Sequence, residues 1–469
     1  MLHAERERSG WLSRDAIVAI AADCRIPIAE AWEAATSYPD FPLSPPLPET
    51  RVCTGLSCVL NGAQPGPGEV GTSCQFRCAD APSPGEDAAF PELHIRRSGP
   101  LLAPDPVDWA GLEHARSLAG AEALRVVADS GLRGRGGAYF PVARKWEGAL
   151  AQERPVALIV NGEEGEPGVF KDRAILCRRP KRFLEGLAIA MHVLAPAVTV
   201  VFLNGEAAAA RASLEACLAG NEGMLPYPPL VMSGGGGYVL GEETTLINAI
   251  EGRKPVPRLR PPYPVESGLF GIPTVVNNVE TVTNLSLVFR GGPELFRETG
   301  TADAPGTKLV SLSGRIRHPG LYELPMGTPV GAVFAAAGGA LEGEIVAALV
   351  GGPSGGFLPP SEFHRPLLPG PMHPTGAVAG SGGIVVLDST SDIRAAALAM
   401  AAFNADESCG KCTPCREGSP RVHESLAARD VASLDELLEV VGVASLCGLG
   451  QMAPGPVRSA LHFWPELFA

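Results

Sequence analysis

Apolar residues along this chain follow two rhythms, helical spacing and short unbroken runs, and the two alternate through its middle. Leu118, Ala121, Leu124 and Val127 recur at helical spacing, with Gly131 as the expected C-terminal stop. Residues 156–160 form an apolar run ending at Asn161 and predict a buried strand. The stretch 186–203 is apolar enough to raise a membrane helix, but Pro196 breaks it and His192 sits inside it. A buried helix at 182–194 and a buried strand at 198–203 are the preferred reading. Helix and strand alternate to about residue 290, which predicts an α/β layer with a mainly parallel sheet.

The flanks read differently. Residues 11–37 predict two short helices, and a Pro-rich connector at 42–48 leads to the first cysteines. Residues 59–108 hold many Gly and Pro without periodicity and read as loop, with a linker ending near Asp108. Further on, 309–313 and 321–324 bracket His318-Pro319-Gly320 and predict a hairpin, followed by a helix at 330–337. Together they make a small α+β module reaching about 388. After Ser391, the expected N-cap, the remainder reads as helical, and Ser433-Leu434-Asp435-Glu436 has capping-box spacing.

Composition narrows the class. The chain has 469 residues, 45% hydrophobic and 19% charged, enough for several domains with cores of their own. A net charge of −13 disfavours nucleic acid and anionic membrane as partners. The first ten residues are charged and no apolar core follows, so no signal peptide is expected and direct membrane insertion is not. Eleven cysteines in that setting imply a reducing, cytoplasmic compartment, where thiols bind metal more often than they pair. Cys24, Cys177 and Cys217 are expected to be packing residues.

The other eight cysteines form two groups of four. Cys409, Cys412 and Cys415 have C-x2-C-x2-C spacing and Cys447 follows some thirty residues later. Three thiolates wound about one point plus a distant fourth meet the ligand count of a [4Fe–4S] cluster. A four-thiolate zinc site is the rival, although such sites usually come as two separated C-x2-C pairs. The other group is Cys53, Cys58, Cys74 and Cys78.

Three loops carry candidate chemistry. The glycines of 131–141, beside Arg133, Arg135 and Lys145, would let backbone approach a flat ring or phosphate, or would simply form a surface loop. Asn161, Glu163, Glu164 and Glu166 stand at the carboxyl end of a buried strand, where open α/β sheets bind ligands; a solvated acidic turn is the alternative. Gly241-Glu242-Glu243 again join glycine to acids before an apolar helix, and carboxylates there would bind ribose hydroxyls and repel a 2′-phosphate, favouring NAD over NADP. Arg260 and Tyr263 then offer a cation beside an aromatic ring, and Asn277-Asn278 introduce a helix.

In order, the chain carries GLRGRGGAYFP, NGEEGEPG-x2-KDR, GEETTLINAIEGR, RPPYP, G-x-PTVVNNVET and ESCGKCTPCREG, in a resemblance that spans about 110–469. That series strongly resembles the NADH-binding flavoprotein subunit of respiratory complex I and its diaphorase relatives in NAD-reducing hydrogenases and NAD-dependent formate dehydrogenases. Residues 10–82, with Arg51-Val52-Cys53-Thr54-Gly55-Leu56-Ser57-Cys58 and Cys74-Gln75-Phe76-Arg77-Cys78, resemble the thioredoxin-like [2Fe–2S] subunit that accompanies it. The resemblance implies an α/β multidomain fold: a shortened thioredoxin-like domain at 1–95, a Rossmann-like FMN/NADH domain at 109–300, a ubiquitin-like β-grasp module at 305–388 and a helical bundle with [4Fe–4S] at 391–469. Only fifteen residues separate Cys58 from Cys74, too few for the helix and strand that the family places there, and the hairpin expected after Pro82 looks eroded.

The implied cofactors are FMN, NAD(H), a [4Fe–4S] cluster on Cys409, Cys412, Cys415 and Cys447, and a [2Fe–2S] cluster on Cys53, Cys58, Cys74 and Cys78. The resemblance places Gly134, Arg135, Gly136, Gly137 and Lys145 against FMN and its phosphate. Asn161, Glu163 and Glu164 would bind flavin polar groups, with Asn277 and Asn278 near the phosphate. Phe140 and Tyr263 would sandwich the dinucleotide base, Glu166 would lie by the nicotinamide and Glu243 would accept ribose hydroxyls. No general base is called for, since hydride transfer works by positioning. This chain departs from the family at Tyr139 (glycine), Glu163 (aspartate), Arg260 (lysine) and Tyr263 (phenylalanine). The expected partner is the catalytic subunit of a soluble complex, with a molybdenum or tungsten formate dehydrogenase ahead of a nickel–iron hydrogenase or an NADH:quinone oxidoreductase. A non-catalytic relay subunit is the alternative.

Overall fold

The computed structural model describes residues 1–38, 41–45, 50–84, 90, 94–235, 237–432 and 434–469. Helices Arg14–Cys24 and Ile28–Thr36 are the expected pair, the first capped by Ser13, whose Oγ accepts the Ala16 amide at 3.1 Å. A charged helix, Leu2–Ser9, precedes them without an apolar stripe to announce it. The Cys24 at the end of the first of the pair is exposed, so it is not the packing residue expected. Strand β1 (Thr50–Cys53), helix Leu56–Leu60 and strand β2 (Glu69–Thr72) follow, with β1 and β2 parallel. The region read as loop therefore holds β2 and, further on, a second strand. That strand, β3 (Ile95–Arg97), finds its partner more than two hundred residues away. Most of the segment after Pro82 where a hairpin was expected lies outside the described residues.

The middle forms a four-stranded parallel sheet of β4 (Ala157–Gly162), β5 (Val198–Asn204), β6 (Leu230–Gly234) and β7 (Thr274–Asn278), ordered β6-β5-β4-β7. The helix expected from Leu118 onward is Gly120–Asp129, and a further helix, Ala110–Ser117, precedes it. Stretch 186–203 divides as expected into helix Pro180–Leu194 and β5, and among the described residues no helix is long and apolar enough to cross a membrane. That helix packs on helix Val279–Arg297 so closely that a Cβ on Gly186 would stand 2.0 Å from the Val282 carbonyl oxygen. Any side chain there would force the layer apart.

A two-residue ribbon, β8 (Gly300–Thr301) and β9 (Ala304–Pro305), leads into the second sheet. Its strands are β10 (Thr307–Gly314), β11 (Gly320–Pro325), β12 (Ile345–Val350), β13 (Gly356–Leu358) and β14 (Gly383–Asp388), ordered β13-β12-β14-β10-β11-β3. β10 and β11 are the expected hairpin, and helix Val330–Ala336 follows. β3 extends this sheet parallel to β11. Buried Glu323 fastens the chain beyond β3 by accepting the amides of Gly99, Leu101 and Leu102, each at 2.8 Å.

A buried charge network locks the two sheets together. Glu280 accepts Lys308 Nζ at 2.6 Å and the Leu309 amide at 2.9 Å, and lies 3.1 Å from Lys171 Nζ. The C-terminal bundle comprises helices Ile393–Asp406, Thr413–Ala428, Leu434–Ala444, Gly448–Met452 and Pro454–Phe463. The cap of the first is Asp392, not Ser391: Asp392 has the extended backbone of an N-cap and accepts the Ala395 amide at 2.9 Å, while Ser391 Oγ accepts the Asp388 amide at 3.1 Å. The capping box expected at Ser433 lies outside the described residues.

Candidate functional site

β4 leads to β5 on one side and pairs with β7 on the other, so the crossovers diverge above the β4–β7 pair. Open α/β sheets leave a crevice at such a point, beyond the carboxyl ends of the strands. Here it is a cleft of about 630 Å³. Its walls come from the glycine loop, the acidic loop after β4, the 238–243 and 260–265 segments, and the loops around Gly351 and Ser381 of the second sheet. Gly448, Leu449 and Met452 of the bundle complete it.

Gly134, Gly136 and Gly137 line the cleft, and the Gly134 amide donates to the Phe140 carbonyl at 2.9 Å to close the loop. Arg135 does not line it. Its side chain is fully buried behind the loop and donates to the Pro305 carbonyl at 2.5 Å, because loop alternation sends it inward while its neighbours face the cleft. Tyr139 has φ 53°, a conformation that suits the glycine of the family pattern. Its ring joins the core of the second sheet and its hydroxyl is buried without a hydrogen-bond partner. Phe140, half exposed, lies at the cleft wall, as does Tyr263. Lys145 Nζ is held by Glu243 at 3.2 Å and by the Val276 carbonyl at 3.1 Å, so its charge is partly spent within the protein.

The acidic loop divides into structural and open groups. Asn161 ties loops together: its Nδ2 donates to the Gly241 carbonyl at 2.9 Å and its Oδ1 accepts the Glu163 amide at 3.0 Å. Glu163 accepts Asn204 Nδ2 at 2.7 Å. Glu164 accepts the amides of Asp172 and Arg173 at 2.7 and 3.1 Å, which makes it the anion at the N-terminus of helix Lys171–Arg178 and leaves little for a ligand. Glu166 is different. Ser381 Oγ donates to Oε2 at 2.7 Å, whereas Oε1 is buried in the cleft with no partner. Burial pushes both Glu164 and Glu166 up to about 7.

At the other end, Glu242 is an N-cap whose Oε2 accepts the amides of Thr244 and Thr245 at 3.1 and 2.9 Å, while its other oxygen meets Arg260. Capping takes Glu242 largely out of ligand reach. Glu243, between Lys145 and Arg260 (3.6 Å), keeps a carboxylate in the cleft beside Gly241. Asn277 Oδ1 accepts Trp146 Nε1 at 2.8 Å. Asn278 caps helix Val279–Arg297 by accepting the Glu280 amide at 3.0 Å, and its Nδ2 reaches Asp172 at 2.6 Å. Ser381, Ser354 and Tyr238, absent from the sequence expectations, also line the cleft. Only their distant pairing revealed them: Tyr238 and Ser354 hydroxyls meet at 2.6 Å.

None of the eleven cysteines is disulfide-bonded. Cys53, Cys58, Cys74 and Cys78 are all buried, with Cys74 and Cys78 sulfurs 3.7 Å apart. Hydrogen bonds from the Cys58 and Cys74 thiols hold Cys53 down at about 3, while those same bonds and burial push Cys58 and Cys74 up. In the second set, Cys412 and Cys447 are the N-cap residues of helices Thr413–Ala428 and Gly448–Met452. Burial pushes Cys447 up to about 11, against the amides of Gly450 and Leu449. Among the described residues no three Cys, His, Asp or Glu side chains surround a single-ion centre.

Residues 127–287 match the Nuo51 FMN-binding domain, 395–469 the NADH-ubiquinone oxidoreductase-F iron–sulfur binding region, 1–82 the thioredoxin-like [2Fe–2S] ferredoxin and 309–358 the SLBB domain. The F-subunit of the NADH-quinone oxidoreductase of Aquifex aeolicus is 37% identical over 378 residues, covering 76% of this chain and 88% of the relative. The chain belongs to the F-subunit family of NADH-quinone oxidoreductases. A relative of similar likeness is NADP-reducing hydrogenase subunit HndC of Solidesulfovibrio fructosivorans, 36% identical over 75% of this chain and 76% of the relative. A chain of the NAD+-reducing [NiFe]-hydrogenase in its air-oxidised state superposes with a TM-score of 0.88 at 31% identity, covering 100% of this chain and 92% of that one.

As a member of that family, the chain is an oxidoreductase subunit with an FMN-binding domain and two iron–sulfur regions. Its cleft suits the flavin. The walls are backbone-lined on one side and acidic on the other, and the open Glu166 oxygen is a buried polar atom without a protein partner. Two groups of four unpaired thiols, the first buried throughout and the second half-buried except for Cys415, meet the ligand count of such clusters.

Proposed function

We propose that this chain is the NAD(H)-facing diaphorase subunit of a multisubunit oxidoreductase, moving electrons between NAD(H), FMN and iron–sulfur clusters. One observation carries the reading: a single cleft is walled by the glycine loop, the acidic strand end and Gly448-Leu449, the residues directly after Cys447. Bound there, FMN supplies exchange between an electron pair from a nicotinamide and single electrons for clusters. The protein's part is placement. Phe140 and Tyr263 offer exposed rings on which a base can stack. Glu243 offers ribose hydroxyls an acceptor, and its charge disfavours a 2′-phosphate. Glu166, oriented by Ser381, presents its open oxygen by the nicotinamide; Gly134, Gly136, Gly137, Asn161 and Glu163 face the flavin. The division 1–95, 109–300, 305–388 and 391–469 is proposed with it, as is a cytoplasmic location, on the unpaired thiols.

For the partner, the shortened, fused front end suggests a molybdenum or tungsten formate dehydrogenase. The full-length likeness to a chain of an NAD+-reducing [NiFe]-hydrogenase supports the nickel alternative more directly. Purified protein is expected to show FMN absorbance and to reduce a dye with NADH. Reduction by NADPH alone, or clusters without extractable FMN, would count against the reading. Nickel or molybdenum in the polypeptides that co-purify decides the partner.

A further inference from the structure

We propose that the cluster ligand loop 407–412 is also a latch that shapes the dinucleotide end of the cleft, with Glu407 and Lys411 as its positioning residues. The inference rests on the NAD(H) reading above. Glu407, two residues before Cys409, accepts the Tyr238 amide at 2.7 Å. The carboxylate reaches that amide only because residue 237 is glycine: a Cβ there would stand 2.5 Å from Glu407 Oε2, and Gly237 has φ 72°. Tyr238 is itself anchored on two sides, by Ser354 and by the Phe403 ring 5.6 Å away. A few residues on stand Glu242 and Glu243, so Glu407 fixes the approach to the acidic lip.

Lys411, between Cys409 and Cys412, holds a second segment, one bonded to the first. Its Nζ donates to the Pro257 carbonyl at 2.8 Å. The next amide, Arg258, donates to Thr244 Oγ1 at 2.9 Å, and the segment runs on to Arg260 and Tyr263. One loop of six residues thus grips two adjoining segments that lead to the same subsite while presenting two sulfurs to the cluster. Free-energy coupling between sites is reciprocal, so a loop that shapes the subsite must also let its occupant perturb the cluster.

The test uses the full-length chain with FMN and iron bound, and ADP-ribose as a probe that cannot transfer electrons. Glu407→Ala and Lys411→Met are each expected to weaken ADP-ribose binding about tenfold, the loss of roughly one charge-assisted hydrogen bond. FMN and iron per chain stay unchanged, and Lys411→Arg recovers most of the affinity. In the unaltered protein, ADP-ribose is expected to shift the EPR signal of the reduced [4Fe–4S] cluster. Unchanged affinity in both variants overturns the latch, as does an EPR signal indifferent to ADP-ribose. If a variant loses its iron, the EPR titration of the unaltered protein decides alone. Unaltered protein that binds no ADP-ribose at all overturns the NAD(H) reading instead, and the latch with it.

Discussion

Glu166 keeps one carboxylate oxygen buried and unbonded, and such a group costs stability whenever it is charged. Burial raises it to about 7, so the folded chain retains a proton there that the unfolded chain releases around 4.5. This contribution to stability is intact below about 4.5 and is lost as pH climbs towards 7. Flavin-free protein should lose about 2 kcal/mol on this account between pH 5 and 8, and Glu166→Gln should flatten that part of the melting profile. Equal slopes for the two proteins would refute the assignment. Tyr139 permits a sharper comparison. Removing its unpartnered hydroxyl in Tyr139→Phe should leave the melting temperature unchanged or raise it, whereas Tyr139→Gly relieves the positive φ but empties a core site and should cost about 3 kcal/mol. Most of the residues that the motifs single out line the cleft, but motif reading does not separate open groups from supports. Glu242 looks like Glu243 in a sequence, yet only the first spends an oxygen on helix amides. Arg135 was misplaced because a charge inside a glycine loop gives no sign of the side on which it is buried.

Among the elements, helix Val279–Arg297 and strand β10 depend on each other through Glu280 and Lys308. Lys308→Met would leave buried Glu280 with one ion-pair partner, Lys171, besides the Leu309 amide, and should destabilise the protein by about 3 kcal/mol, read as a fall in urea midpoint. Glu323→Gln should weaken the grip on Gly99, Leu101 and Leu102 and make the segment after β3 the first site of limited proteolysis; unchanged cleavage would show the clamp to be dispensable. Long, strongly patterned elements were legible beforehand: β4, β5, helix Pro180–Leu194 and the hairpin all stand within a few residues of expectation. The three-residue β3 was not, because a short strand takes its identity from a partner and carries no period of its own. Ser391 lost the cap to its neighbour Asp392 for a similar reason: two capping residues in sequence are equivalent until the backbone selects one.

For the molecule as a whole, the six motifs marked the α/β layer and the bundle, and five of them sit where the α/β layer faces the cleft, while the second sheet carries none of them. How the second sheet and bundle supply Ser381, Ser354 and Gly448 to that cleft was hidden, since those contacts join loops far apart in sequence. Cys74→Ser offers a test at this scale. It should abolish the EPR signal of the front cluster, while FMN content and NADH-driven dye reduction persist at more than half their former level, a threshold set by roughly 0.5 kcal/mol of tolerated perturbation. Loss of dye reduction would mean that the front unit shapes the cleft.

Strand β3 gives the front of the molecule a plug that fits a socket in the second sheet. A chain severed between residues 98 and 108 would still carry that plug on the leading fragment, ready to reinsert by strand addition. Covalent continuity would then serve mainly to keep plug and socket at high local concentration, and a two-piece version of this protein should assemble itself when the halves are mixed.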